Sequence, residues 1–213
     1  MKYKILALTA ALAVSALSLS GCGGGNANAA TPVFTLSSPD LAGGTFANKF
    51  VLNGFGCTGQ NISPALQWSN IPVGTQSLSL QVYDPDAPTG SGFWHWAVYN
   101  IPSSVTSLAQ GAGNGSSTLP TGSSGGNTDF MDTGATGVNG AAGVNGTYGG
   151  PCPPVGDTPH RYIFTLFALD IANLETTAGI PASGTAGLHG FALNKGIGAH
   201  LLGKATFTAT YGR

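Results

Sequence analysis

The sequence predicts a mainly β, exported protein, and three observations carry that reading. Only 7% of its 213 residues are Asp, Glu, Lys or Arg, where a typical soluble domain carries about 25%. Glu and Lys, two good helix formers, are scarce, while the chain holds 34 glycines and many Ser, Thr and Asn. Four segments have the length and apolar pattern of strands. Apolar content is ordinary at 42%, so a core can form.

The first element is a targeting segment. Lys2 and Lys4 give a positive start, and Ile5 to Leu19 form an apolar run too short for a membrane span. Leu19-Ser20-Gly21-Cys22 resembles the bacterial lipobox, which implies a signal peptide over 1–21 and a lipidated Cys22. Two or more acyl chains would hold the protein at a membrane of the cell envelope. The competing reading is ordinary secretion with cleavage after Ala27-Asn28-Ala29. Residues 22–32 then form a flexible Gly- and Asn-rich tether, and 33–213 a single domain. Beyond residue 21, five Lys or Arg stand against eight Asp or Glu, a net charge of −3. No basic cluster exists, which argues against nucleic-acid binding.

Within the domain, Ser77 to Asp84 alternates with Leu78, Leu80 and Val82 on one face. His95 to Ile101 is rich in β-formers. Arg161 to Asp170 is apolar on both faces and reads as a central strand. Lys204 to Arg213 sets Ala205, Phe207, Ala209 and Tyr211 against three threonines, so one face should be wet. Phe34 onward and Lys49 to Leu52 are weaker strand candidates. Leu188, Phe191, Ala192, Lys195, Ala199 and Leu202 fall at helical spacing, with Gly203 as the stop. Residues 111–148 read as a mobile Gly/Ser/Asn-rich loop, pinned near Asp129, Phe130 and Met131. Cys57 and Cys152 are left as an even pair in an oxidising compartment, either bridged or two buried free thiols.

The ionisable residues are concentrated in YDPDAPTGSGFWHW, Tyr83 to Trp96. Period two carries the buried face of the strand on to Asp84 and Asp86, which places both carboxylates on one side. Carboxylates so close need cationic partners, or one is pushed toward protonation. The partners in view are His95 and His160, each at the start of a strand.

Five blocks in order then resemble the phosphatidylethanolamine-binding protein family, and within it the bacterial Raf-kinase-inhibitor-like branch. They are Cys57 to Pro72, Asp84 to Pro88, His95-Trp96 with the following AVYNIP, Gly149 to Pro154, and His160 to Asp170. The resemblance implies an antiparallel β-sandwich with a short helix near the C-terminus. It also implies a small anion pocket built from Asp84, Asp86, His95, Gly150, Pro151, His160 and Tyr162, its first loop shaped by Pro88. The implied ligands are phosphorylated small molecules or phospholipid headgroups, bound without a cofactor. An ammonium could meet the leftover carboxylate. A protonated His95 or His160, the Tyr162 hydroxyl and the Gly149-Gly150 N–H groups could meet the phosphate. The segment before Gly149 is longer than the family pattern.

Two rival functions remain. Two histidines and two carboxylates could hold a metal and activate water for hydrolysis, but neither HExxH nor CxxC is present. An inhibitor role toward an envelope enzyme or kinase would use a protein partner, with the loop as contact surface. A homodimer is left open. His189 and His200 are assigned no chemistry, and the three tryptophans read as core or pocket wall.

Overall fold

The computed structural model describes residues 32–114, 118–130 and 147–213. Targeting segment, Cys22, most of the tether, Met131 and the repeat VNGAAGVNG lie outside the described residues.

The fold is an antiparallel β-sandwich backed by short helices. The small sheet has the order β1-β4-β7, from Thr35–Ser37, Leu66–Ser69 and Ser107–Leu108. The large sheet has the order β10-β9-β5-β6-β8, from Leu201–Tyr211, His160–Leu169, Ser77–Asp84, Phe93–Pro102 and Ser124–Gly125. A hairpin of β2 (Asn53–Gly54) and β3 (Cys57–Thr58) stands apart. Leu36, Leu66, Trp68 and Leu108 of the small sheet pack on Leu78, Leu80, Trp96, Phe164 and Leu166 of the large one. This layer is the main core.

The large sheet is also covered behind. Helix α1 (Leu174–Ala178), helix α2 (Ala186–Phe191) and a π turn over Ala192–Gly196 place Leu174, Ala186, Ala192 and Leu193 against Ala97, Tyr99, Phe167 and Leu169. The strand over Ser77–Asp84 is therefore the central one and is buried on both faces except at Tyr83. Its polar face is buried rather than wet: Gln81 Nε2 donates to the Ala186 carbonyl at 2.8 Å and to the Tyr99 hydroxyl at 3.1 Å, and Ser77 Oγ donates to the Ile171 carbonyl at 2.6 Å. Arg161 to Asp170, expected in the centre, lies one place out, between the central strand and the edge strand β10.

Three further expectations are corrected. Lys49 to Leu52 is no strand but a 3-10 turn over Asn48–Phe50 followed by extended chain. The helix read across 188–202 ends at Phe191, and Leu201, Leu202 and Gly203 already belong to β10. Its phase was also misread, for Leu188 and Phe191 are exposed while Ala186 and His189 are buried. The 111–148 stretch is not loop throughout. Residues 124–125 pair with Val98 and Tyr99, and Phe130 is buried. The short α1 was missed, although Asn173 caps it by accepting from the Thr176 N–H and Gly179 closes it at φ 65.

Candidate functional site

The site lies where β5, β6 and β9 end on the core side of the large sheet. A cavity of about 290 Å³ is lined by Asp84, Pro88, His95, Gly150, His160 and Tyr162, with apolar walls that include Leu52, Phe55, Phe93 and Phe130. That is the lower end of small-molecule pocket size. Period two explains the polar floor: His95 and Tyr162 alternate inward, while Trp94 and Ile163 face the other side.

Asp84 is the hub and is 2% exposed. Its Oδ2 lies 2.8 Å from His160 Nδ1 and 3.9 Å from His95 Nε2. Its Oδ1 accepts from the Asp86 N–H at 2.8 Å and the Ala87 N–H at 3.0 Å. That second pair of bonds is an Asx-type turn, and it ends the extended phase at residue 84. Asp86 therefore does not share the buried face. It leaves the cavity and binds Arg161 with both oxygens, at 2.7 and 2.9 Å. The Arg161 guanidinium outweighs desolvation and holds Asp86 down at about pKa 2. Its cationic partner is thus the residue after His160, not a histidine.

His160 is wedged between carboxylates, with Nε2 3.3 Å from Asp157 Oδ2. Both contacts become hydrogen bonds together only when the ring carries two protons. His95 differs. Its Nδ1 lies 2.8 Å from the Gly149 carbonyl, so Nδ1 carries the hydrogen and Nε2 is left as an acceptor. Burial drives its pKa down to about 4, against the opposing pull of that carbonyl and of Asp84. Of the two histidines expected as candidates for a protonated donor, His95 is the one whose burial works against the charge. Tyr162 stacks edge-on with His95 at 5.0 Å. Its hydroxyl makes no hydrogen bond of ordinary geometry among the described residues. Burial, then the Asp84 charge, pushes its ionisation far above the usual tyrosine range.

The glycine pair serves a different purpose from the one expected. The Gly149 N–H donates to the His95 carbonyl at 2.9 Å, and the Gly150 N–H to Asn61 Oδ1 at 2.7 Å. Neither is available to an anion. A Cβ on Gly149 would stand 2.0 Å from the Phe130 ring, and one on Gly150 2.3 Å from the Phe50 carbonyl. Close packing requires both glycines. Pro151 does not line the cavity; its carbonyl accepts from the Leu52 N–H behind it.

The rim is tied down twice. Cys57 and Cys152 form a disulfide with a Cα separation of 6.0 Å, joining the β2–β3 hairpin to the Pro-rich segment. Arg213 adds a second clamp, donating to the carbonyls of Pro153 at 2.6 Å and Phe55 at 3.2 Å. Arg213, Asp157 and Phe130 were not among the expected site residues. Asp157, three before His160, had a readable signal in its spacing. Phe130 had none, since it reaches the cavity from the long intervening segment. Among the described residues no Lys or Arg lines the cavity, and no group of three or more His, Cys, Asp or Glu is placed to hold a metal.

Comparisons with known proteins agree with this geometry. The sequence profile described as phosphatidylethanolamine-binding protein matches residues 41–212. YbhB of Escherichia coli is 44% identical over 177 residues, covering 83% of this chain and 98% of YbhB. YbcL of the same organism is 40% identical over 186 residues, 86% of this chain and 90% of YbcL. The crystal structure of YbcL, described as a member of the mammalian PEBP family, superposes with a TM-score of 0.70, covering 84% of this chain and 98% of that one. A protein of Chlamydia trachomatis described as a homologue of the same family superposes at 0.59 with 28% identity, over 85% and 98%. With its sandwich, its buried His/Asp cluster and its sequence in accord, the chain belongs to the phosphatidylethanolamine-binding protein family.

Proposed function

We propose that the cavity binds a zwitterionic phosphate headgroup of the phosphoethanolamine type, without catalysing its breakdown. The observation that carries this reading is the mixed character of the floor. The Tyr162 hydroxyl lies near the Asp84 carboxylate but makes no hydrogen bond of ordinary geometry with it, which leaves the donor suited to a phosphoryl oxygen. His95 Nε2 and Asp84 Oδ2, 3.9 Å apart, are both acceptors, suited to a ligand N–H or O–H. Bare phosphate brings only its one or two O–H groups to these acceptors, where an ammonium brings three N–H donors and the opposite charge. His160, held between Asp84 and Asp157, fixes the position of the Asp84 carboxylate, and the apolar walls exclude water.

The test is calorimetric titration with phosphoethanolamine, inorganic phosphate and ethanolamine, in the parent chain and in His160→Ala. Phosphoethanolamine should bind most tightly, and the substitution should abolish its heat. Equal affinity for phosphate and phosphoethanolamine would remove the ammonium half of the reading.

The finer assignments are part of the same proposal: the bacterial Raf-kinase-inhibitor-like branch, export, and anchoring through a lipidated Cys22. Besides the lipobox resemblance, a Mycobacterium tuberculosis relative named as a candidate lipoprotein, LppC, is 33% identical over 180 residues. Cys22→Ala should move the protein from the membrane to the soluble fraction of the envelope. Unchanged membrane association would sink the anchor.

A further inference from the structure

The back of the large sheet carries a second opening that the headgroup reading does not use. Between that face and the α2 segment lies a cleft of about 540 Å³, whose lining includes Tyr83, Trp94, Phe167, Phe191, Lys195 and Lys204. Alternation places it opposite the cavity: Trp94 and Ile163 point into the cleft while their neighbours His95 and Tyr162 point into the cavity.

Its charge is one-sided. Among the described residues Lys49 faces Asp40 at 3.8 Å and Arg161 binds Asp86, while Arg213 is taken up by carbonyls. Among the described residues, Lys195 and Lys204 have no carboxylate within ion-pair distance, and no Asp or Glu lines the cleft. Two of the five Lys and Arg beyond residue 21 thus sit on one opening of a chain that is net acidic there. Lys204 is also held in place. Its ammonium donates to Asn194 Oδ1, next to Lys195, and rides 5.2 Å over the Phe167 ring. The aromatic wall is fixed at one end and open at the other. Trp94 packs on Tyr83 with ring centroids 4.5 Å apart, and Phe191 stands 64% exposed.

We propose that this cleft is a second binding site, for a small anionic ligand that carries one flat ring. The ring lies against Trp94 and Phe191, and its carboxylate or phosphate pairs with Lys195 and Lys204. The size suits a ligand larger than the headgroup assigned to the cavity.

The indole N–H of Trp94 reports on the cleft directly, because Trp68 and Trp96 are buried in the core. In the purified full chain, nuclear magnetic resonance titration would follow that signal against three probes. These are phenyl phosphate (ring and anion), inorganic phosphate (anion alone) and benzyl alcohol (ring alone). Phenyl phosphate should move the Trp94 signal saturably, with both partial probes at least about tenfold weaker. Replacing both lysines (Lys195→Gln with Lys204→Gln) should weaken phenyl phosphate by roughly tenfold, at a few-fold per exposed ion pair. The double variant should keep its unfolding temperature and its affinity for phosphoethanolamine. The proposal is overturned if Trp94 stays still at millimolar phenyl phosphate, if benzyl alcohol binds as well, or if the lysine variant binds unchanged. Displacement of the probe by phosphoethanolamine would also overturn it, by reducing the two sites to one.

Discussion

Among the described residues, buried imidazoles meet buried carboxylates in two places, one around Asp84 and one around Glu175, and the two places do different things. His160 and Asp84 stand on the core side of the large sheet, 2.8 Å apart. His189 and Glu175 stand behind it, 3.8 Å apart, with His189 fully buried. Around Glu175 the neighbours are structural. Asn100 Nδ2 donates to it at 2.7 Å, and Asn100 Oδ1 accepts the Leu174 N–H that opens helix α1. Tyr99 stacks flat on His189 at 4.2 Å. Burial alone would raise the pKa of Glu175, but His189 and Asn100 outweigh it and the net shift is downward. The second pair therefore locks helices to sheet. The first opens on a cavity and leaves Tyr162 without a good partner. A buried ionisable pair marks a site only where a void adjoins it.

The largest test of this contrast is Asp84→Ala. It strands His160 and removes the acceptor of two turn N–H groups, which should cost about 3–5 kcal/mol and abolish phosphoethanolamine binding. Denaturant unfolding with parallel calorimetry reads both. Glu175→Ala should cost about 2–3 kcal/mol by orphaning Asn100 and the neighbouring imidazole, yet leave the affinity of the folded protein unchanged. A matching loss of affinity would erase the distinction between the pairs.

Acid separates the residues of the cavity itself. His95 takes up a proton less readily when folded than when unfolded, where its pKa is about 6.5. Stability should therefore fall as pH drops from about 6.5 toward 4, by roughly 1–3 kcal/mol. His95→Gln should flatten that part of the curve of unfolding temperature against pH. Asp86 acts lower down. Its folded pKa is depressed to about 2, so its contribution is present above the ordinary carboxylate range and lost only as pH falls through that value. The smallest effect belongs to Asp86→Asn. Its partner Arg161 is 56% exposed, and breaking such a pair should cost under about 1 kcal/mol. A loss of headgroup affinity in Asp86→Asn as deep as in Asp84→Ala would return Asp86 to the site.

Much of this was legible because strands write their burial into the sequence with period two. Ser77 to Asp84 was readable to the residue, and the wet threonine face of β10 was readable from Thr206, Thr208 and Thr210, of which the first two are exposed. The helical segment was not. Its apolar residues fit a helical period, but the segment divides into a helix that contains Gly187 and Gly190, a π turn that ends at Gly196 and a 3-10 turn that starts at Gly198. Covering the sheet then decides which residues turn inward, a tertiary matter that local spacing does not record.

By itself the sequence determined the four long strands of the large sheet, the family, and which side chains could meet: Asp84, His95, His160 and Tyr162. Each stands on or at the end of a strand whose alternation fixes its direction. Only the tertiary structure decided the states and partners of those groups. It sent Asp86 out to Arg161 through a two-residue turn, and it spent the Gly149 and Gly150 N–H groups on His95 and Asn61. It brought Phe130 to the cavity and Asp157 to the far side of His160, and it desolvated His95 so that its pKa falls. Direction along a strand is local, set by the pleat. Charge state and hydrogen-bond supply depend on every chain segment that closes over the same small volume.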